Sequence, residues 1–484
     1  MFLLKDKFDI IIQGGQSNAE GTGVGEVANA FIPNEKICYL YDKRQIELGE
    51  TGLKTTGCSD EPFVIDIAKE KEENGLIRGD FSLSFCNKYL ENGLLESERK
   101  LLVIRSSVGG TGFQKGHWGK HDYLYLRLLA MVEYALSLNS ENKVVAFLWH
   151  QGEHDAFEGN SAENYHQQLT EMINGVREKF GNIPFIAGEF VHDWTSKNFE
   201  ICIPILSVIR KVVAEVGNSA FVETSDLFSN NQKLGNGDDI HFCREALYEL
   251  GERYFNSYSL LKGRGSQKNK RLITLGDSIT AGTYFNEQGC FVSAPNYASL
   301  LKKFFNATIL ENRAISGTSY SATSKVMTEF AFSKICSDIN GGYVIVVAYG
   351  TNDYGTNVEL GNSLDTEDVS FYGAVDYCLR VIKENNPKAE IIVVLPFPRL
   401  NENQPNEKGY ILNDYRDAIR YKAEKLGLMV VDGSKLSINP SNESDKENYI
   451  FDGVHFNEDG QKKIAELIYS EYVKLKKGSI TTRD

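Results

Sequence analysis

One stretch constrains the fold of the second half more than any other: an apolar run that ends at a glycine and presents a serine. Residues 271–280 have the sequence RLITLGDSIT. A short run of apolar and β-branched residues that stops at glycine predicts a buried strand followed by a tight turn. Open α/β sheets bind ligands at the carboxyl ends of their strands, so we predict that Ser278 faces a substrate. The alternative is a serine that only caps the next helix.

The first half of the chain repeats this arrangement. Residues 8–18, with the sequence FDIIIQGGQSN, form an apolar run that ends in glycines and delivers Ser17. Each half continues with a glycine-containing turn, an apolar run that ends in polar residues, and an Asp-x-x-His sequence before a helical pattern. These segments are residues 102–111, 144–153 and 238–242 in the first half and residues 314–319, 343–353 and 452–456 in the second half.

The residue types in these segments suit nucleophilic catalysis. A serine hydroxyl is a poor nucleophile until a base removes its proton, and histidine is the usual base. An aspartate three residues before the histidine reaches the other imidazole nitrogen, where it fixes the tautomer and stabilises the imidazolium. The two predicted triads are Ser17, Asp238 and His241 in the first half and Ser278, Asp452 and His455 in the second half.

The second half resembles the SGNH, or GDSL-type, esterase superfamily over about residues 271–478, through its GDSI, SGT, GTND and DGVH sequences. This resemblance implies three oxyanion donors: the backbone N–H groups of Ser278 and Gly317 and the side-chain amide of Asn352. Glycine lets the backbone approach a substrate closely, and a carboxamide donates without carrying charge. One such donor contributes about 3 kcal/mol of transition-state stabilisation.

The first half resembles the sialate O-acetylesterase and carbohydrate esterase family 6 branch of the same superfamily, over nearly all of residues 1–255. The matching sequences are GQSN, GGT, HQGE and DDIH. The resemblance implies the backbone N–H groups of Ser17 and Gly110 as oxyanion donors, with the Gln151 amide in the place of the asparagine. Aligning GGT with SGT of the second half selects Gly110 over Gly109.

Several polar residues near the first site allow more than one interpretation. Residues 150–154, HQGEH, also match the His-x-x-Glu-His of an inverted zinc protease, which needs both histidines on one helix face. The pattern follows a β-branched strand and contains Gly152, so we expect no metal there. Glu153 is expected to orient the loop or the histidine, or else to be a surface carboxylate. His117 and Trp118 either line the substrate pocket or belong to a surface turn.

Composition excludes several classes of partner. The formal net charge is −14 and the sequence pI is about 5.2, which argues against nucleic acid or an anionic membrane. No run approaches 18 apolar residues, and charges interrupt the amino terminus before a signal-peptide core could form. The eight cysteines lie at least 20 residues apart, which predicts reduced thiols and a cytoplasmic location. We expect no cofactor and no metal. The oligomeric state remains open.

These patterns predict two α/β domains, each a three-layer α/β/α, flavodoxin-like fold with a mainly parallel sheet. We place them at residues 1–258 and 271–478, with a linker at 259–270 and a tail at 479–484. The predicted function is a serine esterase with two sites that removes O-acetyl groups from sugars or oligosaccharides. The alternatives are a lipid or thioester acylhydrolase, or a carbohydrate-binding protein with one inactive site.

Overall fold

The chain divides into two compact units, Met1–Gln267 and Lys268–Asp484. The computed structural model describes residues 6–49, 52–57, 61–263, 270–285, 291–293 and 296–480. Residues 264–269 of the predicted linker and residues 481–484 of the predicted tail lie outside the described residues. Helices extend into both predicted segments: one helix of the first unit runs to Leu261, and the last helix of the chain runs to Ile480.

The described part of the first unit is built on a mainly parallel sheet of seven strands. Their order is β11-β10-β9-β1-β8-β2-β5, and only β5, at one edge, pairs antiparallel to its neighbour. The four remaining strands form two hairpins. The strands are β1 (Lys7–Gly15), β2 (Ile37–Asp42), β3 (Gln45–Gly49), β4 (Gly52–Thr56), β5 (Phe63–Ile67), β6 (Lys71–Glu73), β7 (Leu76–Arg78), β8 (Arg99–Arg105), β9 (Lys143–His150), β10 (Phe185–Gly188) and β11 (Ser219–Val222).

Helices cover both faces of this sheet. Alternate residues of β1 point to opposite faces. Ile10 and Ile12 therefore pack with α3, α5 and α7, whereas Ile11 packs with α2 and α9. The helices described in this unit are α1 (Ser17–Glu20), α2 (Phe81–Glu91), α3 (Tyr123–Ser137), α4 (Glu153–Phe157), α5 (Ala162–Phe180), α6 (His192–Lys197), α7 (Phe199–Glu215), α8 (Asn230–Leu234) and α9 (Arg244–Leu261).

The second unit has a parallel sheet with the order β15-β12-β16-β17-β18. A small hairpin, formed by β13 and β14, follows β12 along the chain. The strands are β12 (Arg271–Gly276), β13 (Thr283–Phe285), β14 (Phe291–Ser293), β15 (Ile309–Asn312), β16 (Val344–Ala348), β17 (Glu390–Val394) and β18 (Met429–Val431).

The second sheet is also enclosed on both faces. Ile273 and Leu275 pack with α14 and α15, and Leu272 packs with α11 and α17. The α-helices described here are α10 (Ser278–Ala281), α11 (Tyr297–Phe304), α12 (Phe332–Ile335), α13 (Thr351–Gly355), α14 (Phe371–Asn385), α15 (Leu412–Lys425), α16 (Glu443–Tyr449) and α17 (Glu458–Ile480). Short 3₁₀ turns occupy Ala322–Ser324, Thr328–Phe330, Cys336–Asp338 and Gly433–Lys435.

The predicted fold class is confirmed, since each unit has helix, sheet and helix layers around a mainly parallel sheet. In each unit an interior strand of the sheet precedes the predicted nucleophile: β1 is the middle strand of seven, and β12 is the second strand from one edge of five. No helix within the described ranges is long and apolar enough to cross a bilayer.

The turn after β1 provides a test of the packing. Gly15 has φ +130°, and a Cβ there would lie 2.0 Å from the His150 carbonyl oxygen; Gly93 also has positive φ but no atom within 4 Å of such a Cβ. Overpacking adds to backbone strain, so we expect Gly15→Ala to lower the free energy of unfolding by about 3 kcal/mol. Gly93→Ala should cost about 1 kcal/mol, from strain alone.

Tryptophan fluorescence during urea unfolding measures this difference. The three tryptophans, Trp118, Trp149 and Trp194, all belong to the first unit, so their emission follows that unit selectively. Equal destabilisation by the two substitutions would contradict the close approach of Gly15 to β9.

Candidate active site

A chain of hydrogen bonds joins three predicted residues in the first unit. Ser17 opens α1 directly after β1, and its Oγ lies 2.9 Å from His241 Nε2. The other ring nitrogen, Nδ1, lies 2.8 Å from Asp238 Oδ1. Asn230 Nδ2 donates to the second carboxylate oxygen at 2.8 Å. Burial raises the pKa of Asp238, but the hydrogen bonds from His241 and Asn230 bring it below its ordinary value.

The second unit contains the same arrangement at the carboxyl end of β12. Ser278 Oγ lies 2.9 Å from His455 Nε2, and His455 Nδ1 lies 2.6 Å from Asp452 Oδ2. The other oxygen of Asp452 accepts from the backbone N–H groups of Val454 and His455. Burial raises the pKa of Asp452, but these hydrogen bonds outweigh it and keep the carboxyl ionised.

A glycine turn lies beside each serine. Gly110 and Gly317 have φ of +68° and +80°, a conformation that favours glycine. The residues two before them, Val108 and Ile315, donate their N–H groups to the carbonyl oxygens of the last residues of β1 and β12, both at 3.1 Å. Gly109 donates to Glu20 Oε2, whereas nothing in the described residues accepts from the Gly110 or Gly317 amide. The free amide is therefore that of Gly110, not Gly109.

The loops after β9 and β16 are equivalent in the two units. Gly152 and Gly350, both with positive φ, immediately precede α4 and α13. The third residue after each glycine is an aspartate whose carboxylate accepts two successive backbone N–H groups. Asp155 accepts from Phe113 and Gln114, and Asp353 accepts from Tyr320 and Ser321. This correspondence pairs His154, the residue before Asp155, with Asn352.

The contacts of Gln151 argue against its predicted role as an oxyanion donor. Its side chain is fully buried. Its Nε2 has three acceptors: Asp155 Oδ2 at 2.6 Å, the Thr111 carbonyl oxygen at 3.2 Å and Gln16 Oε1 at 3.3 Å. Both amide hydrogens therefore have acceptors within the protein. Asn352 differs, because its Nδ2 has one acceptor, the Thr318 carbonyl oxygen at 2.8 Å. Residue identity favoured Gln151, but the backbone framework places His154 at the position of Asn352.

Glu153 is a buried carboxylate that supports the loop bearing His241. It is 1% exposed, which excludes a surface position. Its Oε1 accepts from Asn18 Nδ2 at 2.9 Å. Asn18 also donates to the Ile240 carbonyl and accepts from the Phe242 N–H, on either side of the histidine. Burial raises the pKa of Glu153, but contacts with His150 and Asn18 lower it overall. Sequence reasoning missed Asn18, although it belongs to the GQSN sequence.

The positions of the histidines and of Trp118 argue against a zinc site and a Trp-lined pocket in the first unit. His150 ends β9 and His154 lies in α4, so they do not share one helix face. Within the described residues, no cluster of three or more His, Cys, Asp or Glu side chains could hold a metal ion. Trp118 is fully buried and donates to Thr111 Oγ1, so it is a core residue and does not line a pocket. His117 is also buried, and its Nδ1 accepts from the Gly112 N–H.

The second site contains two buried carboxyls, Asp277 and Asp353. The first site has a counterpart of Asp353 in Asp155, but it has no counterpart of Asp277. Asp277 precedes Ser278, where the first unit has the neutral Gln16. Burial raises the pKa of Asp277 to about 6 and that of Asp353 to about 7. The negative charge of Asp277 adds to the shift of Asp353. Asp277 also caps α10, since its Oδ1 accepts from the Ile279 N–H at 3.0 Å.

Family comparison separates the two halves of the chain. Residues 7–260 match the family model described as carbohydrate esterase, sialic acid-specific acetylesterase. Residues 274–463 match the model of the GDSL-like lipase/acylhydrolase family. The first match covers just over half of the 484 residues. Both resemblances predicted from the sequence are confirmed.

The chain is also similar to individual proteins. A probable carbohydrate esterase of Arabidopsis thaliana is 23% identical over 270 residues, which are 51% of this chain and 89% of that protein. The crystal structure of NanS is 16% identical with a TM-score of 0.42, and the match covers 54% of this chain and 99% of that one. A putative GDSL-like lipase from Bacteroides ovatus is 18% identical with a TM-score of 0.33, covering 43% and 100%. The chain is therefore an ester hydrolase that belongs to the sialic acid-specific acetylesterase family of carbohydrate esterases and carries, in its second half, a domain of the GDSL-like lipase/acylhydrolase family.

Proposed function

We propose that the protein is a serine esterase with two working sites, and that the first site removes O-acetyl groups from sugars or oligosaccharides. One observation carries the proposal. In each unit a serine at the carboxyl end of an interior strand, β1 or β12, lies 2.9 Å from a histidine Nε2, whose other nitrogen contacts an aspartate. The acetyl and sugar parts rest on the family of the first half.

The proposed reaction proceeds through an acyl-enzyme in two steps. Ser17 Oγ attacks the acetyl carbonyl carbon while His241 Nε2 takes the hydroxyl proton, and Asp238 stabilises the resulting imidazolium. The tetrahedral intermediate collapses, the C–O bond to the sugar breaks, and His241 returns the proton to the sugar oxygen. Water then attacks the acetyl-serine with His241 again as base. Acetate leaves and Ser17 regains its proton.

The negative oxygen of the tetrahedral intermediate needs donors in both sites. We assign the backbone N–H groups of Ser17 and Gly110 in the first site. In the second site we assign those of Ser278 and Gly317, together with the Asn352 side-chain amide. The Gly110 and Gly317 amides lack acceptors in the described residues, and Asn352 has one amide hydrogen in excess of its single acceptor. Donors that are already in place and unpaired need no rearrangement during the reaction.

A second candidate function applies to the second site alone, as a hydrolase of longer acyl esters. An apolar side chain borders its glycine turn: Met327 Cγ lies 3.2 Å from the position that a Cβ on Gly317 would occupy. Met327 has φ +51°, a conformation that is strained for a bulky residue. Such strain persists only where the surrounding structure enforces it, often at functional sites. Such a residue beside the glycine turn favours an apolar acyl chain over acetyl.

Replacing each serine tests both candidates. Ser17→Ala should abolish acetate release from acetylated sugars, since the remaining site lacks the carbohydrate-esterase framework. Ser278→Ala should leave that activity and instead remove hydrolysis of nitrophenyl esters of longer acids. Only the double variant should be inactive on a general acetate ester. Each single variant is the control for the other.

The measurement is kcat/KM on acetylated sugars and on nitrophenyl esters of short and medium-length acids. If one single substitution silences every ester tested, the other unit is a binding or structural module. If both single variants keep the same substrate profile, the two sites do not differ in specificity.

Changing the aspartate of the second triad tests its role. In the Ser17→Ala background, Asp452→Asn should reduce kcat by about 10⁴-fold, because the amide favours the wrong imidazole tautomer. Asp432→Asn is the matched control: this carboxylate lies in the same unit, accepts from Ser434 and Arg420, and does not contact the triad. Steady-state kinetics on a nitrophenyl ester measures both. A rate for Asp452→Asn close to that of the control would remove Asp452 from the mechanism.

A further inference from the structure

Asn230, the first residue of α8, contacts three separate parts of the first site. Its backbone N–H donates to the His241 carbonyl oxygen at 2.9 Å. Its side-chain Nδ2 donates to Asp238 Oδ2 at 2.8 Å, and its Oδ1 accepts from the backbone N–H of Val24 at 2.9 Å. Val24 lies in the segment that follows Ser17 and α1. One residue therefore joins the segment after the nucleophile to the loop that carries the other two members of the triad.

The two triads hold their aspartates by different means. In the second unit, the carboxylate oxygen of Asp452 that does not contact the imidazole accepts from the backbone N–H groups of Val454 and His455, in its own turn. In the first unit, the equivalent oxygen of Asp238 accepts from the side chain of Asn230, eight residues earlier. A backbone donor is present whatever the side chain, whereas a side-chain amide is lost by one substitution. The first triad thus depends on the residue type at position 230.

The amide of Asn230 is held in one orientation. Its side chain is fully buried, and both ends of the amide have partners. The opposite orientation would point the amide oxygen at the Asp238 carboxylate and the NH₂ group at the Val24 N–H, so both contacts would become repulsive. A capping box fixes the start of α8: the Ser229 N–H donates to Gln232 Oε1, and the Gln232 N–H donates to Ser229 Oγ. The donor to Asp238 is therefore in place before any substrate binds.

The chemistry of the triad gives this contact a purpose. Asp238 must stay ionised and keep one oxygen on His241 Nδ1 while the imidazolium forms. Burial raises the pKa of Asp238, but hydrogen bonds from His241 and Asn230 outweigh it and lower the pKa overall. With Oδ2 bound to the amide, the carboxylate presents Oδ1 to the imidazole and cannot rotate away from it.

We propose that Asn230 is a positioning residue of the first site, which holds the Asp238 carboxylate against His241 and ties their loop to the segment after Ser17. The inference rests on the proposed function, because it assumes that these three residues act as a catalytic triad. Asn230 acts through Asp238 and not on the substrate, so its loss should lower kcat and leave KM nearly unchanged.

Two substitutions in the full-length Ser278→Ala protein test the proposal, with nitrophenyl acetate as the substrate. Asn230→Ala removes the donor to Asp238 and the acceptor for Val24. It should lower kcat by about 10- to 100-fold, as expected for a lost hydrogen bond to a charged group, and leave KM within about threefold. Asn230→Asp keeps an acceptor for Val24, but at about pH 8.5 the new carboxylate is ionised, cannot donate and repels Asp238. Its kcat should fall at least as far.

Asn231→Asp is the matched control for the added charge. It makes the same change one residue further along α8, at a side chain whose oxygen accepts from the Gly237 N–H, which a carboxylate can also do. Its kcat should stay within about threefold of the parent. Thermal unfolding followed by tryptophan fluorescence verifies that the first unit of each variant is folded.

A normal kcat for Asn230→Asp beside a loss in Asn230→Ala would overturn the proposal, because Asn230 would then only anchor the chain at Val24. A near-normal kcat in both variants, a rise in KM with unchanged kcat, or an equal loss in Asn231→Asp would also overturn it. Ser17→Ala in the same background separates the two levels of failure. If Ser17→Ala retains turnover, the proposed first site itself is wrong. If Ser17→Ala is inactive while both Asn230 variants are normal, only the role of Asn230 is wrong.

Discussion

The side-by-side packing of two parallel strands at their carboxyl ends is the constraint on which both sites depend. Gly15 of β1 pairs with His150 of β9, and Gly276 of β12 pairs with Ala348 of β16. This register brings the serine turn and the loop before α4 or α13 to the same edge of the sheet. A Cβ on Gly15 would meet the His150 carbonyl oxygen, so only glycine permits this approach. The hydrogen bonds of each site are built from this junction.

Short-range spacing made the triads predictable from sequence, whereas the backbone equivalent of Asn352 in the first unit could be found only from long-range structure. Asp-x-x-His places two groups within one turn of chain, so Asp238 and His241 were recognisable without a fold. Matching His154 rather than Gln151 to the backbone position of Asn352 required knowing that Asp155 accepts two N–H groups from the distant residues Phe113 and Gln114. The Asn and Gln side chains are chemically alike, and this similarity pointed to Gln151, which has a different backbone position from Asn352.

Local sequence patterns predicted the sheets, but they did not predict where every segment ends or which side chains are buried, because these depend on contacts between distant residues. Apolar periodicity and glycine turns indicated both sheets and the three-layer class. The helix that ends at Leu261 continued into the predicted linker, because Tyr254, Phe255 and Tyr258 pack into the core and stabilise it over its whole length. Trp118 lies in a glycine-rich segment that indicated a surface turn or pocket, yet its ring is fully buried against Trp149.

Two buried carboxyls near Ser278, those of Asp277 and Asp353, couple the folding of the second unit to the binding of protons. Unfolded aspartate titrates near 3.8, whereas folded Asp277 and Asp353 titrate near 6 and 7. Since the folded state holds protons that the unfolded chain has released, these groups stabilise the unit most below about pH 4, and that contribution is lost as pH rises through 6 to 7. Gln16 gives the first unit no such group behind its serine. A rise in pH therefore changes the stability of the two units by different amounts.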